Sequence, residues 1–166
     1  MNRKQTILAA AVLGMALSPA PAFADPETDV GFRGWGPRVG VSLSPDQVHF
    51  GAHLDFGQFA EHVRFQPNFE LGFGDNVTLV ALNAEASYRF TSRWETWSPY
   101  LGGGIGVNIK SYDAGRENVS KTDLGVNLLG GIEKGLSSGD RFFIEGKFSL
   151  NDIPDAKVTV GWTFYH

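Results

Sequence analysis

The sequence predicts an all-β protein, an eight-stranded antiparallel up-and-down transmembrane β-barrel, and three observations lead there. From Val39 to Phe164 apolar residues recur at every second position through eight successive segments. A strand with one face on hydrocarbon and the other on a polar interior must have this period. Beyond the N-terminal leader no apolar run reaches the roughly 18 residues that a spanning helix needs. The two faces also differ in bulk. One carries Phe50, Phe56, Phe65, Phe69, Phe73, Tyr88, Phe90, Phe142, Phe148, Trp162 and Phe164, and the other carries Gly40, Gly51, Gly72, Gly102, Gly104, Gly106, Gly125, Gly131 and Gly161. An eight-strand interior is only just wide enough for ordinary side chains, so the aromatic face must point outward. A soluble periplasmic lipocalin-like binder of an apolar ligand shows the same alternation with the faces exchanged, and the aromatic volume weighs against it.

Residues 1–24 read as a secretory signal peptide: Arg3 and Lys4, a short apolar run from Thr6 to Leu17, then Ala22 and Ala24 before Asp25. Export is therefore expected, with residues 25–36 as an N-terminal periplasmic segment and residues 37–166 as the barrel domain. The leader holds two bases and no acid, so the mature chain is more acidic than the formal −4 of the whole sequence. That acidity argues against a nucleic-acid partner. No cysteine is present. Hydrogen bonding and packing must hold an exported chain of this kind, and a closed sheet supplies both by leaving no edge unpaired.

The first segment, Pro37 to Leu43, ends at Ser44-Pro45-Asp46, and the second, Gln47 to Phe56, sets Val48, Phe50, Ala52, Leu54 and Phe56 on one face. The third, His62 to Phe73, alternates Val63, Phe65, Phe69, Leu71 and Phe73 with Arg64, Gln66, Asn68, Glu70 and Gly72. Pro67 cannot donate to a ladder but leaves the parity intact. Gly74-Asp75-Asn76 then turns the chain into the fourth, Val77 to Phe90. The fifth runs from Tyr100 to Lys110 and the sixth from Thr122 to Lys134. Ser137-Ser138-Gly139-Asp140 leads to the seventh, Arg141 to Leu150, and residues 151–155 to the eighth, Lys157 to Tyr165. In the eighth, Val158, Val160, Trp162 and Phe164 alternate with Lys157, Thr159, Gly161 and Thr163. Short connections of this kind join antiparallel neighbours.

Trp35, Trp94, Trp97, Tyr100 and Phe164, with Phe56, Phe59, Phe90, Phe142 and Tyr165, fall near the end that carries both termini and form the expected interfacial aromatic girdle. A chain inserted from the periplasm keeps that end there. The outer loops are then Ser44 to Asp46, Gly74 to Asn76, Lys110 to Lys121 and Asn151 to Ala156.

The inward charges by parity are Asp55, Glu70, Glu85, Asp123, Glu133 and Glu145 against Arg38, Arg64, Arg89, Lys110, Lys147 and Lys157. Buried charges must be paired or each costs several kcal/mol, so balanced signs in a narrow barrel read as an ion-pair plug. The same groups could instead line a narrow channel, or serve as acid and base in catalysis. His49 and His53 share the lumen face but lie roughly 13 Å apart along the strand, too far to chelate one metal. Each reads as a satisfied interior histidine, with Asp55 a plausible neighbour for His53. No metal, cofactor or catalytic residue is expected. Leu101-Gly102-Gly103-Gly104-Ile105-Gly106 lacks the spacing of a nucleotide-binding loop and reads as a strand packed on bulky lumen neighbours.

Ser98-Pro99-Tyr100-Leu101-Gly102-Gly103-Gly104-Ile105-Gly106 is similar to the strand-opening run of small eight-stranded outer-membrane barrels of the OmpX and OmpA-barrel type. Val158-Thr159-Val160-Gly161-Trp162-Thr163-Phe164 resembles their closing strand, the signal read by the barrel-insertion machinery. The resemblance covers essentially the whole mature chain. It implies a monomer in the Gram-negative outer membrane, in contact with outer-membrane lipids and lipopolysaccharide and escorted by periplasmic chaperones during biogenesis. It also implies a non-catalytic role in envelope integrity or surface interaction. Some barrels of this size are lipid-modifying enzymes, and the deacylases among them use a His and a Ser on one strand. Here His49, His53 and His62 are followed two residues later by Gly51, Asp55 and Arg64, so none of them forms such a pair.

Overall fold

The structure is a computed structural model that describes residues 29–43, 46–74, 77–91, 94–113, 118–150 and 156–166. Eight strands follow one another: β1 (Asp29–Leu43), β2 (Asp46–Ala60), β3 (Val63–Gly74), β4 (Val77–Arg89), β5 (Trp97–Asp113), β6 (Asn118–Gly135), β7 (Arg141–Ser149) and β8 (Ala156–Tyr165). Each pairs antiparallel with its sequence neighbour, and β1 pairs with β8, so the sheet closes as a barrel in chain order. The leader, most of the turns 44–45, 75–76 and 151–155, and residues 114–117 lie outside the described residues.

The faces settle as volume requires. Glu70 is 1% exposed at the barrel centre, whereas Leu124 is 76% exposed and Ile105, Phe148, Val48, Phe50 and Trp162 also point out. The soluble lipocalin-like arrangement is therefore excluded, since it would bury these groups and wet the charges. The lumen glycines serve the interior directly. A Cβ on Gly131 would lie 2.6 Å from the Tyr100 hydroxyl, and one on Gly40 would lie 2.8 Å from His49 Nε2, so a bulkier residue at either position would displace an interior ring.

The largest departures from the expected boundaries are these. β1 begins at Asp29, not Pro37, so the strand takes in residues 29–36 of the stretch expected to precede the barrel. Their glycines and the register shift between Val30 and Gly34 hide the period of two. β2 runs past Phe56 to Ala60 through a bulge at Gly57, whose φ of 73° belongs to the left-handed region. The stretch Lys110 to Lys121, expected as a loop of moderate length, is mostly hairpin: Lys110 pairs with Lys121 and Ser111 with Ser120. Strand pairing continues there because the backbone ladder itself needs no apolar alternation.

Candidate functional site: the filled lumen

Strand order brings the inward charges together in tiers. In the middle tier Glu70, on β3, receives Lys147 Nζ from β7 at 3.2 Å and Lys157 Nζ from β8 at 2.7 Å. Arg38 on β1 reaches Glu145 at 2.7 Å and lies 3.5 Å from Glu70, while Lys147 is 2.5 Å from Glu85. Asn68 donates to Glu85 at 2.6 Å, Asn83 to Asn68 at 2.9 Å and Asn127 to Asn83 at 3.2 Å, so an amide chain continues the network toward the end away from the termini. The gap bounded by Asn83, Asn108, Asn127, Lys147, Ser149 and Lys157 is about 10 Å³, room for about one water.

An apolar layer of Tyr100, Leu129 and Phe143 separates this tier from the one near the termini. Arg38 lies over the Phe143 ring at 5.6 Å and Arg64 over the Tyr100 ring at 5.7 Å, so guanidiniums seal the layer from both sides. In the lower tier Glu133 accepts from Arg64 at 2.8 Å and pairs with Arg89 at 2.5 Å, and Asp55 accepts the Tyr165 hydroxyl at 2.9 Å. Toward the end away from the termini Asp123 pairs with Lys110 and with Lys121, each at 3.2 Å.

Arg38, Asp55, Arg64, Glu70, Glu85, Glu133, Glu145 and Lys147 are thus buried inside, while Arg89 and Asp123 are partly exposed near the two mouths. Trp35, Trp94 and Phe164 lie exposed on the outer surface, and Trp97 is half-buried, tilted against Phe142. Tyr100 must be corrected. It is 3% exposed, points inward and donates to Glu145 at 3.1 Å. Its parity with Gly102 and Gly104 carried that signal, and the space opposite Gly131 admits the ring. Tyr165 likewise turns its hydroxyl inward rather than joining the girdle. Sequence reading leaves several interior residues unassigned, among them Leu129, Phe143 and Arg141, although Phe143 and Arg141 share the parity of Glu145 and Leu129 that of Glu133.

The expected proximity of His53 to Asp55 does not arise as a hydrogen bond. His53 Nε2 pairs with Thr163 Oγ1 and His49 Nε2 with Thr159 Oγ1, each at 2.9 Å, while Asp55 turns to Gly57 N–H and Tyr165. A hydroxyl beside an imidazole is half of a nucleophilic arrangement, but neither His49 Nδ1 nor His53 Nδ1 has a hydrogen-bond partner. Without a carboxylate to orient and charge-compensate the ring, and with both threonines enclosed, these pairs are interior packing. Among the described residues no group of His, Asp and Glu has metal-binding geometry.

A closed eight-strand barrel with an apolar exterior and an ionic interior defines the transmembrane β-barrel fold class. Solved structures of small outer-membrane barrels share it. Neisserial surface protein A superposes with a TM-score of 0.63 at 16% identity, covering 82% of this chain and 97% of that one. The N-terminal β-barrel domain of Pseudomonas aeruginosa OprF gives 0.64 at 12%, covering 81% and 99%. The outer-membrane enzyme PagL gives 0.52 at 13%, covering 80% and 99%. At these identities the common property is the fold. No family model and no curated protein sequence matches the chain.

Proposed function

We propose that this chain is a non-catalytic integral protein of the Gram-negative outer membrane, exported by a cleaved leader, inserted as a monomer, and serving envelope integrity or surface interaction rather than transport. The observation that carries this reading is the pairing of Glu70 with Lys147 and Lys157 across the lumen. A continuous aqueous path would have to separate charge pairs that lie out of bulk water. Outer-membrane lipids and lipopolysaccharide are its surroundings, and the insertion machinery and periplasmic chaperones its partners during biogenesis.

Planar-bilayer recording of the purified folded barrel tests the plug. The expected result is no resolvable single-channel current above bare bilayer noise. Steady ion-selective openings would replace this reading with that of a narrow channel. A lipid-modifying role is tested separately by comparing lipid A from a deletion strain with that of its parent, where no difference is expected.

A further inference from the structure

We propose that the end of the barrel carrying both termini holds a binding site for one small oxyanion, built from Arg89 and Arg141 and backed by Arg64. Charge balance by tier leads there. In the middle tier Arg38, Lys147 and Lys157 meet Glu70, Glu85 and Glu145, three against three. In the lower tier Arg64, Arg89 and Arg141 meet only Glu133 and Asp55, so one guanidinium is in excess.

The excess falls on Arg141. Arg64 and Arg89 hold Glu133 at 2.8 and 2.5 Å, and Asp55 is taken by Tyr165 hydroxyl and Gly57 N–H. Arg141 Nη1 has only the longer ion pairs, 3.4 Å to Glu133 and 3.7 Å to Asp55, shares both carboxylates with other donors and makes no hydrogen bond. Arg64 Nε is likewise buried and unpartnered. Among the described residues no carboxylate other than Glu133 and Asp55 pairs with Arg64, Arg89 or Arg141. Asp140 accepts from Ser138 Oγ and Tyr165 N–H, Glu61 is exposed beside His62, and Asp29 is paired with Arg33.

The geometry is also open to a ligand. Arg141 lies over the Tyr165 ring with 5.0 Å to its centroid, which fixes the guanidinium plane. Its side chain is 17% exposed and that of Arg89 is 30% exposed, so both reach solvent at the mouth while Glu133 behind them is 2% exposed. Planar guanidinium donors match the oxygens of phosphate and carboxylate, and a desolvated floor strengthens the attraction. The occupant is a phosphate or carboxylate group, carried either by a soluble molecule or by a lipid headgroup of the adjoining leaflet. This inference rests on the fold alone and stands whether or not the lumen conducts.

The test titrates inorganic phosphate into the folded full-length mature barrel in dodecyl maltoside, by calorimetry at ionic strength held with sodium chloride. One site per chain is expected, weakened about tenfold or more in Arg141→Gln, as loss of a charge-assisted hydrogen bond implies. Lys121→Gln, which removes a cation at the opposite end, is expected to bind as the parent does. Arg89→Gln replaces Arg141→Gln if the latter does not fold. Repeating the titration in mixed micelles with phosphatidylglycerol distinguishes the sources: a weaker apparent affinity identifies a lipid headgroup, and an unchanged one a soluble oxyanion. Absence of phosphate binding, or equal binding by the parent and the arginine variant, would overturn the proposal.

Discussion

Glu70 on β3 and Lys147 on β7 stand on strands diametrically opposite in an eight-stranded ring, and their side chains meet at 3.2 Å. The contact spans the whole lumen. Because Lys157 and Arg38 converge on the same carboxylate, Glu70 is the point through which the middle tier is neutralised.

Replacing Glu70 with Gln should leave Arg38, Lys147 and Lys157 sharing Glu85 and Glu145. The expected loss is about 3–5 kcal/mol, the usual result of removing one partner from a buried ionic cluster. Urea unfolding of the variant in detergent measures it. A loss below about 1 kcal/mol would show that water already reaches this tier.

Gly131 faces the Tyr100 ring and the Ile144 carbonyl, with no room for a methyl group. Gly131→Ala should destabilise by about 1–3 kcal/mol, the range for overpacking. Gly135→Ala, where a Cβ would meet nothing within 4 Å, should change stability by less than about 0.5 kcal/mol. Heat-modifiable migration on detergent gels orders the two variants, and equal effects would contradict the interior placement of Tyr100.

Ile105, near the middle of β5, faces outward and is 66% exposed. Ile105→Arg should lower folding stability in phospholipid vesicles by about 2–4 kcal/mol, as expected for a cation at the bilayer midplane. Ile105→Leu should fold like the parent. If the arginine variant proves neutral, β5 does not lie at that depth.

Much of this fold was legible because a barrel forces one period on every strand. The third and eighth segments, with Phe65, Phe69, Phe73, Val160 and Trp162 strictly alternating with polar groups, place their own faces without help. The pattern failed where physics relaxes it. At Asp29 to Gly36 glycines and a bulge interrupt it, and beyond Lys110 and Lys121 the strands stay paired without an apolar alternation in the sequence. The height of Tyr100 and Tyr165 on the barrel points to the girdle, whereas both hydroxyls turn inward and the parity of Tyr100 agrees with that. An amphipathic ring can serve either face, and the hydrogen bonds to Glu145 and Asp55 decide it. The charged lumen was readable as a set of residues. Its division into a balanced and an unbalanced tier was not, because that depends on register and on Arg141, which opens a strand beside a turn.

The account depends above all on which face meets lipid, and fluorescence quenching by brominated phospholipid tests that directly. A barrel retaining Trp162 as its sole tryptophan is compared with one in which the only tryptophan is placed by Phe143→Trp, since Trp162 faces out and Phe143 is 5% exposed inside. The predicted result is strong quenching of Trp162 and little at position 143. The reverse order would contradict the assignment of faces and, with it, the membrane-spanning barrel.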